Sequence, residues 1–234
     1  MSHAAVVVGV GPGLGSALVR KFAAEGLTVI AAARHASGLT GFEDDIAAGR
    51  VVLRDCDATA PDQIEALFTS TEEKFGQLKI AVFNAGAFER STVVDTDPAD
   101  FERCWRVGGF AGFLTGRAAA QRMVVHGEGT IIFTGATASL RGGAGFSNLA
   151  VPKFALRALA QSMARELGPQ GIHVAHVIID GGISSPRYEE MAADLGPDAL
   201  LKPEAIADTY LALHRQHRSA WTHELELRPW VEKF

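Results

Sequence analysis

Ala4-Ala5-Val6-Val7-Val8-Gly9-Val10-Gly11-Pro12-Gly13-Leu14-Gly15-Ser16-Ala17-Leu18-Val19 is the stretch that decides how the chain is read. An apolar, β-rich run over 4–10 ends in glycines. Residues 13–25 then carry Leu14, Leu18, Val19 and Phe22 on one helical face. Gly26 stands where a helix-terminating glycine belongs. Strand, tight turn and helix N-terminus, in that order, aim backbone N–H groups and the helix dipole at an anion. The spacing is Gly9-xxx-Gly13-x-Gly15 with Gly11 between, whereas GxGxxG would need a glycine at Leu14. In this position the loop predicts a dinucleotide pyrophosphate site built from Gly9, Gly11, Gly13, Leu14 and Gly15. The competing reading is a turn whose glycines serve only strand-to-helix packing.

Working outward, further apolar runs over 27–33, 51–53, 80–83, 130–133, 173–179 and 221–227 predict six more strands. Helical patterns over 61–75, 98–125, 154–167 and 203–214 separate most of them, Pro61 sitting at a first helical position. Continuous apolar strands alternating with helices predict an α/β fold: a seven-stranded parallel sheet covered on both faces, in a single Rossmann-type domain over 1–234. The long irregular stretch at about 181–203 follows the C-terminal end of a strand, where ligands bind in such sheets, and is read as a substrate lid. Pro152 disfavours helix at Val151, which predicts a displaced turn before Lys153.

Composition narrows the function. Of 234 residues, 47% are hydrophobic and 21% charged, so the chain is neither disordered nor fibrous. With 22 basic and 27 acidic residues the net charge is −5, and no basic run invites nucleic acid or an anionic membrane surface. Mean hydropathy is +0.12, and no stretch is long and uncharged enough to span a bilayer. Cys56 and Cys104 form neither a disulfide framework nor a metal-binding pair and are expected as reduced thiols in or near the core. No metal is expected. No basic leader precedes the first strand, which predicts a cytoplasmic protein. Ala31-Ala32-Ala33-Arg34 ends the second strand without the acid that would bond a ribose 2′-hydroxyl. Arg34 instead suits a 2′-phosphate, which favours NADP(H) over NAD(H).

Taken together, Gly9-xxx-Gly13-Leu14-Gly15, Asp57 after the third strand, Asn84-Ala85-Gly86 after the fourth and Lys153 after the fifth resemble the short-chain dehydrogenase/reductase family over nearly the whole chain. The resemblance implies nicotinamide-dependent oxidoreductase chemistry. It implies that Asp57 meets the adenine, that Asn84, Ala85 and Gly86 line the cofactor trough, and that Lys153 bonds the nicotinamide ribose. Ala33 and Arg34, at the end of the second strand, complete the expected cofactor contacts. The family's catalytic tyrosine, serine and helix asparagine fall on Leu149, Ala136 and Gly108, and its Pro-Gly after the sixth strand reads Ile179-Asp180. The longer Tyr-to-Lys spacing of enoyl reductases lands on Phe146. Lys153 alone keeps its group, so the ordinary mechanism lacks both its proton donor and its carbonyl polariser.

Three readings follow. One is an oxidoreductase acting on an apolar carbonyl compound with other donors, drawn from Thr137, Ser139, Ser147, Asn148 and Tyr188. The second is an inactive cofactor-binding protein, a sensor or partner subunit. The third is a non-redox enzyme on the same scaffold. Ala136, Leu149 and Gly108 predict a dry, widened pocket beside the nicotinamide. Gly108, Gly112 and Gly116, with Ala155, Ala158 and Ser162, form two small-residue rows that predict close approach of a second helix. The resemblance implies that subunits pair through these helices as a homodimer or homotetramer.

Overall fold

The computed structural model describes residues 3–185, 188 and 196–232. Seven strands form one sheet: β1 (His3–Val8), β2 (Thr28–Ala33), β3 (Val51–Asp55), β4 (Gln77–Phe83), β5 (Gly129–Thr134), β6 (Ile172–Ile179) and β7 (Glu224–Leu227). Their order is β3-β2-β1-β4-β5-β6-β7, and every pairing is parallel. The chain therefore winds outward from β1 in both directions, and the crevice between the β1 and β4 ends is where such sheets bind ligands.

Strand alternation builds two cores. Val6, Phe83, Phe133 and Val174 pack under α3 (Pro61–Phe75), α5 (Ala111–His126) and α6 (Ser147–Leu167). Val7, Val82, Ile132 and Val177 pack under α1 (Leu14–Ala24) and α7 (Pro203–His214). Both faces being covered explains why the strands read as unbroken apolar runs. The sequence endpoints of α3 and α7 are reproduced because proline at the first helical position fixes each start. Cys56 and Cys104 are both free and buried, as expected.

Four local differences have physical causes. The pattern over 98–125 is helical throughout, as expected, but not uniformly α-helical. Its parts are α4 (Pro98–Trp105), a π-helical turn (Arg106–Phe110) that widens the helix at Gly108 and Gly109, and α5, which continues without a break. Asp97 caps α4, its carboxylate accepting from the Ala99 N–H at 2.8 Å. Second, α6 starts at Ser147 rather than 154 and passes through Pro152 without a break. Proline this close to a helix start removes a single hydrogen bond, and the missing Cβ of Gly108 leaves room for its ring. The displaced turn before Lys153 is thus not found. Third, β7 begins only at Glu224; Trp221 instead stacks on His173 at 4.9 Å. Fourth, α2 (Glu43–Ala47) is a short acidic helix that periodicity missed.

The small-residue row of α5 is turned inward. A Cβ on Gly112 would meet Leu156 Cδ1 at 2.4 Å, and one on Gly116 would meet the Phe133 ring at 2.8 Å. These glycines let α5 lie close on the sheet and on α6, so they do not serve a second subunit. The lid reading over 181–203 falls partly outside the described residues, which lack 186, 187 and 189–195. Its described stem is tied down: Ile183 bridges Leu201, and the Ser184 N–H donates to the Leu201 carbonyl at 2.8 Å.

Candidate active site

The glycine loop divides its labour. Gly9 has φ +94, and a Cβ there would lie 2.4 Å from the Ala85 backbone nitrogen. A Cβ on Gly15 would lie 2.7 Å from Val10 Cα. Both positions are fixed by backbone approaching backbone. Gly11 is different: a Cβ there meets nothing within 4 Å and would stand in the open cleft. Gly13 has only Ser185 and Ser184 near, at 3.9 and 4.0 Å. Gly13 also precedes α1 with no side chain capping the helix. The Ser16 N–H donates to the Gly11 carbonyl at 3.0 Å, and the N–H groups of Leu14 and Gly15, which have no partner within a helix, are left beside the cleft that these residues line. An elongated anion fits this cradle.

Two clefts meet at Gly9, Gly11, Pro12 and Asn84. One, of about 490 Å³, runs past Ala33, Arg34, His35, Asp57, Ala85 and Gly86. The other, of about 560 Å³, runs past Gly13, Leu14 and Gly15 to Thr134, Ala136, Lys153, Ile179 and Tyr188. Every residue expected to hold the cofactor thus lines one continuous trough. Asn84 pins its middle, its side-chain amide donating to the Gly9 carbonyl at 3.0 Å. Asp57 accepts from the Thr59 N–H at 2.9 Å and the Thr59 hydroxyl at 2.8 Å, and these bonds hold its carboxyl below the usual range.

Lys153 is buried and donates to the Thr134 carbonyl at 2.6 Å. Burial brings its pKa down to about 8. A partly buried set of side chains lies nearby. Arg157, one turn beyond Lys153, chelates Glu224 with two bonds of 2.7 Å, and His176 Nδ1 lies 3.1 Å from the same carboxylate. A Cβ on Gly135 would collide with His176 Nε2 at 2.4 Å, so the segment carrying Thr134 and Ala136 rests directly on the ring. Burial lowers the His176 pKa to about 4 and keeps it neutral. Asp180 was not anticipated as a structural tie. Its carboxylate accepts from the Thr137 hydroxyl and pairs with Arg228 at 3.0 Å, which joins the β5 end to the β7 end. An acid directly after an apolar strand was the available signal.

The three empty positions do not converge. Ala136 lines the trough. Leu149 is half-buried and does not. Gly108 is buried beneath Pro152, where a Cβ would meet the proline Cβ at 2.8 Å. The pocket widened by all three is therefore not what the structure contains. Gly108 and Pro152 are coupled instead. Gly108→Asn is expected to lose about 1–3 kcal/mol in urea unfolding, and Pro152→Gly, which removes the Cβ it would meet, should make the double variant less unstable than the sum of the two single losses. Additive losses would contradict the contact.

Among the described residues, no helix is long and apolar enough to cross a membrane. A parallel sheet wound outward from β1, with a glycine cradle at its crevice and a buried lysine beyond it, defines a Rossmann-type dinucleotide-binding scaffold. The short chain dehydrogenase family model matches residues 3–195, and the chain belongs to that family. It is similar to the short-chain reductase protein NovJ of Streptomyces niveus, with 31% identity covering 83% of this chain and 74% of that protein. A solved short-chain dehydrogenase from Rhodopseudomonas palustris superposes with TM-score 0.85 at 41% identity, covering 97% and 99% of the two chains. A metagenomic short-chain oxidoreductase in complex with NADP superposes with TM-score 0.84 at 27% identity, covering 98% of each.

Proposed function

We propose that this chain is an NADP(H)-dependent oxidoreductase that reduces apolar carbonyl compounds without the family's tyrosine–serine pair. The continuous trough from Arg34 to Lys153 carries the proposal. Its far end is walled by Ala136, Ile179 and Ile183, which favours an apolar substrate. Gly9, Gly11, Gly13, Leu14 and Gly15 cradle the pyrophosphate. Ala33, Arg34 and Asp57 take the adenosine end, and Asn84, Ala85 and Gly86 line the middle. Lys153 bonds the nicotinamide ribose. When bound, the cofactor supplies or accepts a hydride; the chain orients it and keeps water out.

Arg34 and His35 at the adenosine end, with no acid at the tip of β2, support NADP(H) over NAD(H). A relative with bound NADP points the same way. Arg34→Ala is expected to weaken NADPH binding about ten- to a hundredfold, the worth of a charged hydrogen bond, and to leave NADH binding nearly unchanged. Fluorescence titration reads both. Equal losses would remove Arg34 from the 2′-phosphate.

A sensor or partner subunit remains the second reading, and a non-redox enzyme on this scaffold the third. Both are favoured by the alanine lining the trough where the family has serine. NADPH consumption over a carbonyl panel separates them from the first: cofactor binding without turnover selects the non-catalytic reading. Phe113 on α5 and Val151 and Phe154 on α6 are exposed and support pairing of subunits in a cytoplasmic homodimer or homotetramer. A monomer mass by light scattering at micromolar concentration would overturn that.

A further inference from the structure

The trough holds a buried lysine and an apolar wall, but neither Leu149 nor Ala136 can deliver a proton. The hydroxyls and amide flanking these positions are engaged elsewhere. Thr137 donates to Asp180. Ser139 is fully buried and accepts from the Ala136 N–H at 3.1 Å. Asn148 is buried and donates to the Glu89 carbonyl at 3.1 Å. Ser147 lies outside the trough lining.

Phenols are the natural substitute, being stronger acids than aliphatic hydroxyls, and the chain has two tyrosines. Tyr210 is fully buried on the opposite face of the sheet and bonded to the Thr134 hydroxyl at 2.9 Å. Tyr188 lines the same cleft as Lys153, Thr134 and Ala136. Its backbone N–H donates to the Ser185 carbonyl at 2.8 Å. Ser185 in turn leans over Gly13, 3.9 Å from where a Cβ would sit, on a stem held by the Ile183–Leu201 bridge. Ser184 and Ser185 thus stand beside the glycine cradle, and Tyr188 lines the cleft that ends at Lys153.

We propose that Tyr188, brought in from the segment after β6, is the proton donor for carbonyl reduction in this chain. This rests on the NADP(H) reading above. A bound reduced nicotinamide would supply the hydride for the new C–H bond at the carbonyl carbon. The π pair moves to oxygen, and the Tyr188 O–H breaks as its proton completes the alcohol. The phenolate left behind, in the cleft that Lys153 also lines, recovers a proton from solvent.

Two measurements test it. The first needs no turnover: tetranitromethane nitration mapped by mass spectrometry, with and without saturating NADP⁺. Tyr188 should be nitrated in the free protein and protected by NADP⁺, with Tyr210 unmodified in both. NADP⁺ that binds by thermal shift yet leaves Tyr188 nitration unchanged overturns the proposal. NADP⁺ that does not bind overturns the cofactor reading itself, which keeps the two failures apart. The second is turnover of NADPH with benzaldehyde and phenanthrenequinone as probes. Tyr188→Phe should lower kcat at least about a hundredfold, the usual worth of general acid catalysis, and leave KM and NADPH affinity within about twofold. Retained kcat, or a wild-type protein that binds NADPH and reduces neither probe, overturns the donor role.

Discussion

Gly9→Ala should cost the protein both its stability and its cofactor, whereas Gly11→Ala should cost only the cofactor. At Gly9 the backbone has φ +94, and a Cβ would stand 2.4 Å from Ala85 N and 2.6 Å from Ala85 Cα. No side chain can move aside, because the obstacle is the backbone leaving β4. Strain at this φ is worth about 1–3 kcal/mol, and forcing an atom into a filled space about 1–3 kcal/mol more. For a chain of this size that lowers Tm by on the order of 10 °C. Gly11 has no positive φ and an open surrounding, so its alanine variant should melt with the wild type. Its methyl nevertheless occupies the trough, and NADPH affinity should fall at least about tenfold. Thermal melts and fluorescence titration on both variants decide the matter. If Gly9→Ala melts normally, the close approach of β1 and β4 is wrong. If Gly11→Ala binds normally, the phosphate does not lie over that residue.

That contrast also shows what the sequence can and cannot reveal. Glycine spacing after the first strand identified the loop, but it could not say which glycines face protein and which face ligand. Gly9 and Gly15 were read as phosphate-facing, yet their missing side chains are required by the neighbouring backbone. The same limit applied to Gly112 and Gly116. A four-residue spacing defines one face of a helix but not what that face meets, and here it meets Phe83, Phe133, Leu156 and Met163. The sheet was legible because each parallel strand is apolar on both faces, and α3 and α7 because proline marks their starts. Contacts between distant segments left little local trace beyond the acid that follows β6. Asp180 with Arg228 and His176 with Glu224 each join positions nearly fifty residues apart, and no spacing within either segment names its partner. The register of β6 against β7 is what brings them together.

Lys153→Met should remove a rise in stability that the wild type shows between pH 8 and pH 10.5. Burial lowers the folded pKa from 10.5 to about 8. Between those values the unfolded chain holds a proton that the folded chain has released, so stability increases with pH across the window. Below it the ammonium is buried in both the acidic and neutral range, and the full cost, about 3 kcal/mol at roughly 1.4 kcal/mol per pH unit, is present at pH 7. Methionine has similar length and no charge. The difference between wild-type and variant unfolding free energies in urea should therefore change by about 3 kcal/mol between pH 7 and pH 10.5, in favour of the wild type at the alkaline end. Parallel curves would mean that Lys153 is solvated. At neutral pH the variant escapes the ionic cost but leaves the Thr134 carbonyl without its donor, which offsets about 1–3 kcal/mol of the gain. NADPH affinity should nevertheless fall about ten- to a hundredfold, the worth of a charged hydrogen bond to the ribose. NADPH binding lost with the fold intact is the outcome that would assign Lys153 to the cofactor, and unchanged binding would leave its burial without a ligand to explain it.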